Sequence, residues 1–480
     1  MLQRIDSGGL LRPYRDPRIS SRDGCVQALF YPAFTNFLVL HCHNLTTYFI
    51  FLPRIMLFWK LEAVGVTKIL PSDGELRYSH CDSAGRHHVE ASHDAFRKER
   101  RTRNKKSATM KHYLDLLQQT IRENWDEPAL SDYRGATLSF GDLAREICRM
   151  HILFEEAGIS VDDKIALCGR NSARWAVTYF AILAYKAVAV PILSDFTPSS
   201  VAALTLHSDA RLLILDRHIW KGMDQTSRLS LPDVMALDNG EVLRSASGLL
   251  PVALSRVDRL YEEQYRQGVC PGDVHFDTST LDELCIISYT SGTSGSPKGT
   301  MLSARSISSN VAFARRLIPT RRGWRVLSIL PLAHLYGLMF ELMYPMLSGC
   351  RVTFLGAAPT PSVLMEALRE VRPYMQLVVP LILEKIFRNK VFPALKREPA
   401  RTLMRIPVVR EVVFQNVRNG IIESFGGKIR HFIAGGAGIN PEVERFMRRI
   451  KLPYTVGYGM TECGPLICYS DWHSFAEGSC

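Results

Sequence analysis

The run Leu284 to Gly299, LCIISYTSGTSGSPKG, constrains this chain more than any other stretch. Leu284 to Tyr289 is apolar and has the length of a buried strand. Thr290 to Ser296 then contains only Thr, Ser and Gly, and Pro297, Lys298 and Gly299 follow. Glycines let a backbone turn its N–H groups inward, hydroxyls add donors, and one lysine supplies a fixed positive charge. Such a loop is a cradle for a polyphosphate. It is not a Walker A loop, because Pro297 stands where the glycine before the lysine should be. A mobile Ser/Gly linker is the bland alternative. Linkers rarely leave a buried strand directly, and rarely end in Pro-Lys-Gly.

Two further stretches stand out, although a lone His in an apolar stretch is by itself more often a satisfied core residue. Val326 to Leu330 reads as a strand running into Pro331-Leu332-Ala333-His334-Leu335-Tyr336-Gly337. Tyr454 to Tyr458 reads as another, ending in Gly457-Tyr458-Gly459-Met460-Thr461-Glu462. Tyr458 offers an aromatic face to a purine. Thr461 offers a hydroxyl to a phosphate. Glu462 offers a hard oxygen to Mg²⁺, an ion that takes one or two carboxylates and completes its shell with phosphate and water.

On these three motifs the chain resembles the adenylate-forming superfamily of acyl-CoA synthetases, luciferases and peptide-synthetase adenylation domains. YTSGTSGSPKG resembles its phosphate-loop signature, with Ser294 where the usual form has Thr. The stretch VRNGIIESFGGKIRHFIAGGAGINPEVERF resembles the long-chain fatty acyl-CoA synthetase branch. The resemblance implies that Thr290, Ser291, Gly292, Thr293, Ser294, Gly295 and Lys298 hold the ATP phosphates. It implies that Gly436, Ala437, Tyr458 and Gly459 border the adenine, and that His334, Tyr336 and Gly337 wall the acyl pocket. Lys298, Thr461 and Glu462 are the expected catalytic residues, with Glu462 and Thr290 as Mg²⁺ ligands. Fatty acid, ATP and coenzyme A are the expected substrates. One departure is noted: Ser303-Ala304 stands where the family usually has a Thr-His pair.

The rest of the chain sets the frame. Beyond Met110 strands alternate with helices, with Ser139 a plausible N-cap. The expected fold class is therefore α/β, with doubly wound, mostly parallel sheets and flanking helices. Residues 221–283 are polar and irregular and read as a surface excursion. Lys385 to Phe425 reads as long, helical and basic. Eleven cysteines without a C-x-x-C pair read as reduced thiols in a cytoplasmic protein.

Of the net charge of +12, residues 1–109 hold +7, from 17 Lys/Arg against 10 Asp/Glu. Those residues include two apolar runs interrupted by His41, His43, Asn44 and Pro53-Arg54. Neither reaches the roughly 18–20 apolar residues of a span. The histidines at 80, 87, 88 and 93 match no metal-ligand spacing. Residues 1–109 are read as an extension outside the family, from a misplaced start, and 110–480 as an AMP-binding N-terminal domain. The small C-terminal domain that the resemblance implies lies outside this sequence, so little activity is expected of the chain alone. No nucleic-acid partner is expected, and a peripheral membrane contact is compatible with the charge. An aryl- or amino-acid adenylating domain is the alternative within the class, and an inactive ATP-binding fragment the alternative outside it.

Overall fold

The computed structural model describes residues 110–290, 297–318, 320–356, 360–469 and Ala476, together with four strands near the N-terminus. The chain divides into two compact units, Met1–Ala108 and Thr109–Cys480. In the first, Gln27–Leu29, Phe37–Cys42, Leu45–Leu52 and Ile55–Leu57 form an antiparallel sheet in sequence order. The two apolar runs of the sequence thus carry strands, an order that the sequence reading does not anticipate. The His80–His93 cluster and the basic run at 97–106 lie outside the described residues.

The second unit is built on two sheets. One has seven strands, in the order Val242–Arg244, Asp233–Ala236, Ala210–Leu215, Lys164–Cys168, Val188–Ile192, Leu284–Thr290 and Lys298–Ser303. The other has eight, in the order Leu466–Cys468, Tyr454–Gly459, His431–Gly435, Met375–Val378, Arg325–Ser328, Arg351–Phe354, Pro128–Asp132 and Thr137–Ser139. The inner strands pair in parallel and the margins antiparallel. The α/β class with mostly parallel sheets is as the sequence indicates.

Alternation along the strands explains the layering, because successive side chains point to opposite faces. Ile165 and Leu167 join the largest apolar cluster, while Ala166 and Cys168 join a separate one on the other face. Ile433 joins that same largest cluster, whereas Phe432 and Ala434 face a third. The largest core therefore lies between the two sheets. Its centre is the helix Ala173–Ala184, in which every residue except Arg174 is buried. A helix apolar on nearly all sides belongs inside a protein, and this one contacts strands of both sheets.

Local sequence fixes the helix starts. Ser139 accepts from the Asp142 N–H at 3.0 Å, and the Ser139 N–H donates back to Asp142 at 2.9 Å. This capping box begins the helix Phe140–Glu156. Ser172, Thr197 and Asn440 cap three more helices. Two expectations are corrected. Residues 221–283 are not an excursion alone, because two of their strands extend the seven-stranded sheet and the helix Leu249–Gln264 packs on Phe140–Glu156. The Lys385–Phe425 helix is broken into several pieces. Pro393, Pro399 and Pro407 lack the N–H that a continuous helix needs.

The two sheets meet through a polar knot beside the buried helix. The Asn171 side-chain amide donates to Ser328 Oγ at 3.1 Å and to the Leu330 carbonyl at 2.6 Å. Its Oδ1 accepts from the Leu332 N–H at 2.9 Å. Nearby, Asp132 Oδ1 accepts from the Ala173 N–H at 2.9 Å, again from one sheet to the other. Asn171→Ala strips three hydrogen bonds from a half-buried turn. It is expected to cost about 1–3 kcal/mol, read as a lower urea midpoint. An unchanged midpoint would show that the knot does not join the sheets.

Candidate functional site

The phosphate-loop residues Ser291, Gly292, Thr293, Ser294 and Gly295 lie outside the described residues, but both ends of the loop are described. Thr290 ends one strand, and Lys298 begins the next directly opposite it in the antiparallel register. The neighbouring pair is Tyr289 and Gly299. A Cβ on Gly299 would come within 2.9 Å of Ile287, so only glycine lets the strands close there. The Tyr289 hydroxyl lies 2.8 Å from His207 Nδ1, which braces this strand end against the helix Pro198–His207. Lys298 is exposed and has no carboxylate within ion-pair distance among the described residues.

The strand Lys298–Ser303 leads into the helix Ala304–Leu317, capped by Ser303. Asn310 on that helix is buried. Its side-chain amide donates to the Cys463 carbonyl at 3.0 Å, and its Oδ1 accepts from the Leu466 N–H at 2.8 Å. These two bonds hold the short turn Thr461–Cys463, which packs against the strand of Lys298. Glycines shape the approach. A Cβ on Gly459 would overlap the Pro465 carbonyl oxygen, and one on Gly464 would overlap Ser306 Oγ. Glu462 is exposed, with no cationic partner among the described residues. The structure thus brings the lysine and the turn of Thr461 and Glu462 to one place.

The residues assigned to adenine also converge. Gly435 and Gly457 are register partners on parallel strands, so Gly436 and Tyr458 leave neighbouring strands at the same end. Gly436 has φ +87°, a left-handed conformation that glycine adopts without strain. Tyr458 is 45% exposed, and Gly436, Ala437 and Gly459 are exposed. Ligands bind at such carboxyl ends in open α/β sheets. The sequence places the first of these strands at 429–433, and the structure places it at His431–Gly435. Beneath them His431, Thr455 and Tyr469 form a buried hydrogen-bonded group, with 3.0 Å between His431 Nε2 and Thr455 Oγ1. It ties both strands to the segment after Leu466–Cys468.

His334 is exposed and precedes the short turn Leu335–Gly337. Gly337 lies against the Pro331 carbonyl, where a Cβ would come within 2.8 Å. Tyr336 turns toward the strand His431–Gly435. Its hydroxyl donates to the Ile433 carbonyl at 3.1 Å, and its ring covers Gly435, where a Cβ would lie 2.9 Å from Cζ. Burial pushes its phenol well above the usual range. Tyr336 therefore joins the motif of His334 to the strand of Gly436.

Sequence reasoning missed Glu341. It is fully buried, and its Oε2 accepts from Ser328 Oγ, the Ile329 N–H and the Leu330 N–H, each at 3.0 Å. Oε1 has no hydrogen-bond partner among the described residues. Burial pushes the carboxyl up to about 8, against the opposing pull of those three donors. The available signal was a lone acid in the apolar run LMFELMYPML. Glu341 and Asn171 both bond the same loop, and that loop carries His334.

A family model described as AMP-binding enzyme matches residues 117–480. Among curated relatives, the rat long-chain-fatty-acid–CoA ligase 5 is 25% identical over 334 residues, which are 63% of this chain and 47% of that protein. Long chain acyl-CoA synthetase 1 of Arabidopsis thaliana is 24% identical over 355 residues, covering 68% of this chain and 52% of that one. The chain thus spans about half the length of the curated relatives it matches. Among solved structures, an anthranilate CoA ligase in complex with anthranoyl-AMP superposes with a TM-score of 0.58 at 16% identity. The match covers 77% of this chain and 62% of that one.

The Glu341 carboxyl gives a signed prediction. Its ordinary value is 4.5 and its folded value about 8. Between these the unfolded chain binds fewer protons than the folded one, so stability from this group falls as pH rises through that window. Glu341→Gln stays neutral and lacks this slope. Urea midpoints at pH 5.5 and 8 should therefore fall further for the wild type than for the variant. Equal losses would show that Glu341 is ionised in the fold.

Proposed function

The chain belongs to the AMP-binding enzyme family, and from that premise we propose that it activates a fatty acid as its acyl adenylate and passes the acyl group to coenzyme A. One observation carries this reading. The turn of Thr461 and Glu462 packs against the strand that begins at Lys298, opposite Thr290, and both ends of the phosphate loop are fixed there.

In the first step a carboxylate oxygen attacks the α-phosphorus of ATP. The bond from that phosphorus to the bridging oxygen breaks, and pyrophosphate leaves with the electron pair. Little covalent work falls to the protein. It aligns the reactants and neutralises charge. Lys298 faces the phosphates, and among the described residues no carboxylate pairs with it. Thr461 donates its hydroxyl to the α-phosphate, and Tyr458 lies against the purine beside Gly436, Ala437 and Gly459. Glu462 and Thr290 present hard oxygens, one a carboxylate with no cationic partner among the described residues, which suits Mg²⁺. When bound, Mg²⁺ neutralises the departing phosphates. In the second step the thiol of coenzyme A attacks the acyl carbonyl, loses its proton and expels AMP.

His334, Tyr336 and Gly337 wall the acyl side, with their loop held from behind by Glu341 and Asn171. The basic helical stretch before Gly426 favours a long chain. An aryl acid is the second reading, favoured by the fold shared with an anthranilate CoA ligase.

Exchange of labelled pyrophosphate into ATP, run with a panel of fatty and aryl acids, tests the proposal. Fatty-acid-dependent exchange is expected from the full-length protein. Lys298→Ala should lower it on the order of a hundredfold, as loss of a preorganised charge does. ADP as product, exchange indifferent to Lys298, or no exchange with any acid would contradict it, the last leaving a fragment that only binds ATP.

A further inference from the structure

Between Phe387 and Ser424 the chain leaves the eight-stranded sheet and returns as a broken helical hairpin. Its base packs the buried Phe387 and Phe414 against the half-buried Phe446. Its corner is the reverse. Leu403, Ile406, Val408 and Val412 are 37%, 50%, 77% and 52% exposed, and Val408 is the most exposed large apolar side chain among the described residues. Single exposed apolar residues are ordinary. Four within ten residues of one corner are not, and exposed apolar side chains gathered in this way mark an interaction surface. The Ile406 N–H bonds the Leu403 carbonyl, and Val408 and Val412 are one helical turn apart, so neighbours in sequence are neighbours in space.

Cations rim the same corner. Lys396, Arg397, Arg401 and Arg405 are exposed, and none has a carboxylate within ion-pair distance among the described residues. The nearby acids are already engaged. Glu398 accepts from the Thr402 N–H and hydroxyl at 3.3 and 2.7 Å, and Glu411 lies 4.0 Å from Arg410. The partner must therefore offer negative charge to the rim and an apolar layer to the tip. A second copy of the same corner would set cations against cations. An anionic lipid surface offers both features. Phosphates meet the guanidinium groups, whose stems extend along the interface, and the aliphatic tips enter the boundary of headgroup and acyl chain.

We propose that the corner Lys396–Val412 docks this protein on anionic lipid bilayers. The docking is peripheral, since no described helix is long and apolar enough to cross a membrane. It does not depend on the catalytic reading.

The test is co-sedimentation of the full chain with vesicles of phosphatidylcholine, with and without phosphatidylglycerol. Binding is expected to the mixed vesicles only, and to weaken with salt. Each arginine near such a surface contributes about fivefold to the partition coefficient. The double variant Arg401→Gln, Arg405→Gln should thus bind on the order of tenfold or more weakly. Val408→Glu should lose binding to a similar degree, with Val408→Ser as the milder form if the first fails to fold. Leu229→Glu, at an exposed apolar position elsewhere, should bind as the wild type does. An unchanged thermal melt certifies the fold of each variant. Corner variants that bind as the wild type does, equal binding to neutral vesicles, or a self-association that these substitutions abolish would each overturn the proposal.

Discussion

The fold turns on a polar knot in an apolar seam. Two sheets close on a helix buried on nearly every side, and packing alone would tolerate small slides between such surfaces. Asn171 removes that freedom. It leaves the carboxyl end of Lys164–Cys168 in one sheet and bonds Ser328, Leu330 and Leu332 beyond the end of a strand in the other. Glu341 bonds the same loop, with Oε2 accepting from three donors. Hydrogen bonds in a dry interior are directional and costly to break. The knot therefore sets the register of one sheet against the other where their carboxyl ends meet.

Everything in the candidate site leans on that register. The loop held by Asn171 and Glu341 carries His334, and Tyr336 at its end spans to Ile433 and covers Gly435. The strand of Gly435 pairs with the strand of Gly457, which delivers Tyr458 and then the turn of Thr461 and Glu462. Asn310 returns that turn to the helix following Lys298. The circuit runs from one sheet to the other and back, and no member of it is a long loop. A site made this way fixes the backbone positions from which Lys298 and Glu462 extend, before any ligand arrives.

Much of this was legible in the sequence, because the informative features are local. A strand followed by Thr, Ser and Gly, a strand followed by Gly-Tyr-Gly, and a Ser-x-x-Asp cap each announce themselves within a dozen residues. What could not be read depends on partners far along the chain. Glu341 sits in a run that reads as plain buried helix, and only its meeting with Ser328 and Leu330 explains an acid there. The strands Asp233–Ala236 and Val242–Arg244 are short and lie in polar surroundings, so their place at the sheet margin is a tertiary fact. The stretch 385–425 reads as long, helical and basic, and where its prolines break it into separate pieces is settled only by the packing of those pieces. Tyr336 was assigned to one side of its motif, whereas its ring also braces the neighbouring strand.

The central claim is that a carboxylate attacks the α-phosphorus at this site. Isotope transfer tests that bond directly. A fatty acid carrying ¹⁸O in both carboxylate oxygens is supplied to the full-length protein with ATP, Mg²⁺ and coenzyme A, and the nucleotide product is weighed by mass spectrometry. If the acyl adenylate forms and is then cleaved by the thiol, one ¹⁸O stays with AMP. Unlabelled AMP, or label recovered in inorganic phosphate beside ADP, would mean that the carboxylate never bonds the α-phosphorus and that the account is wrong.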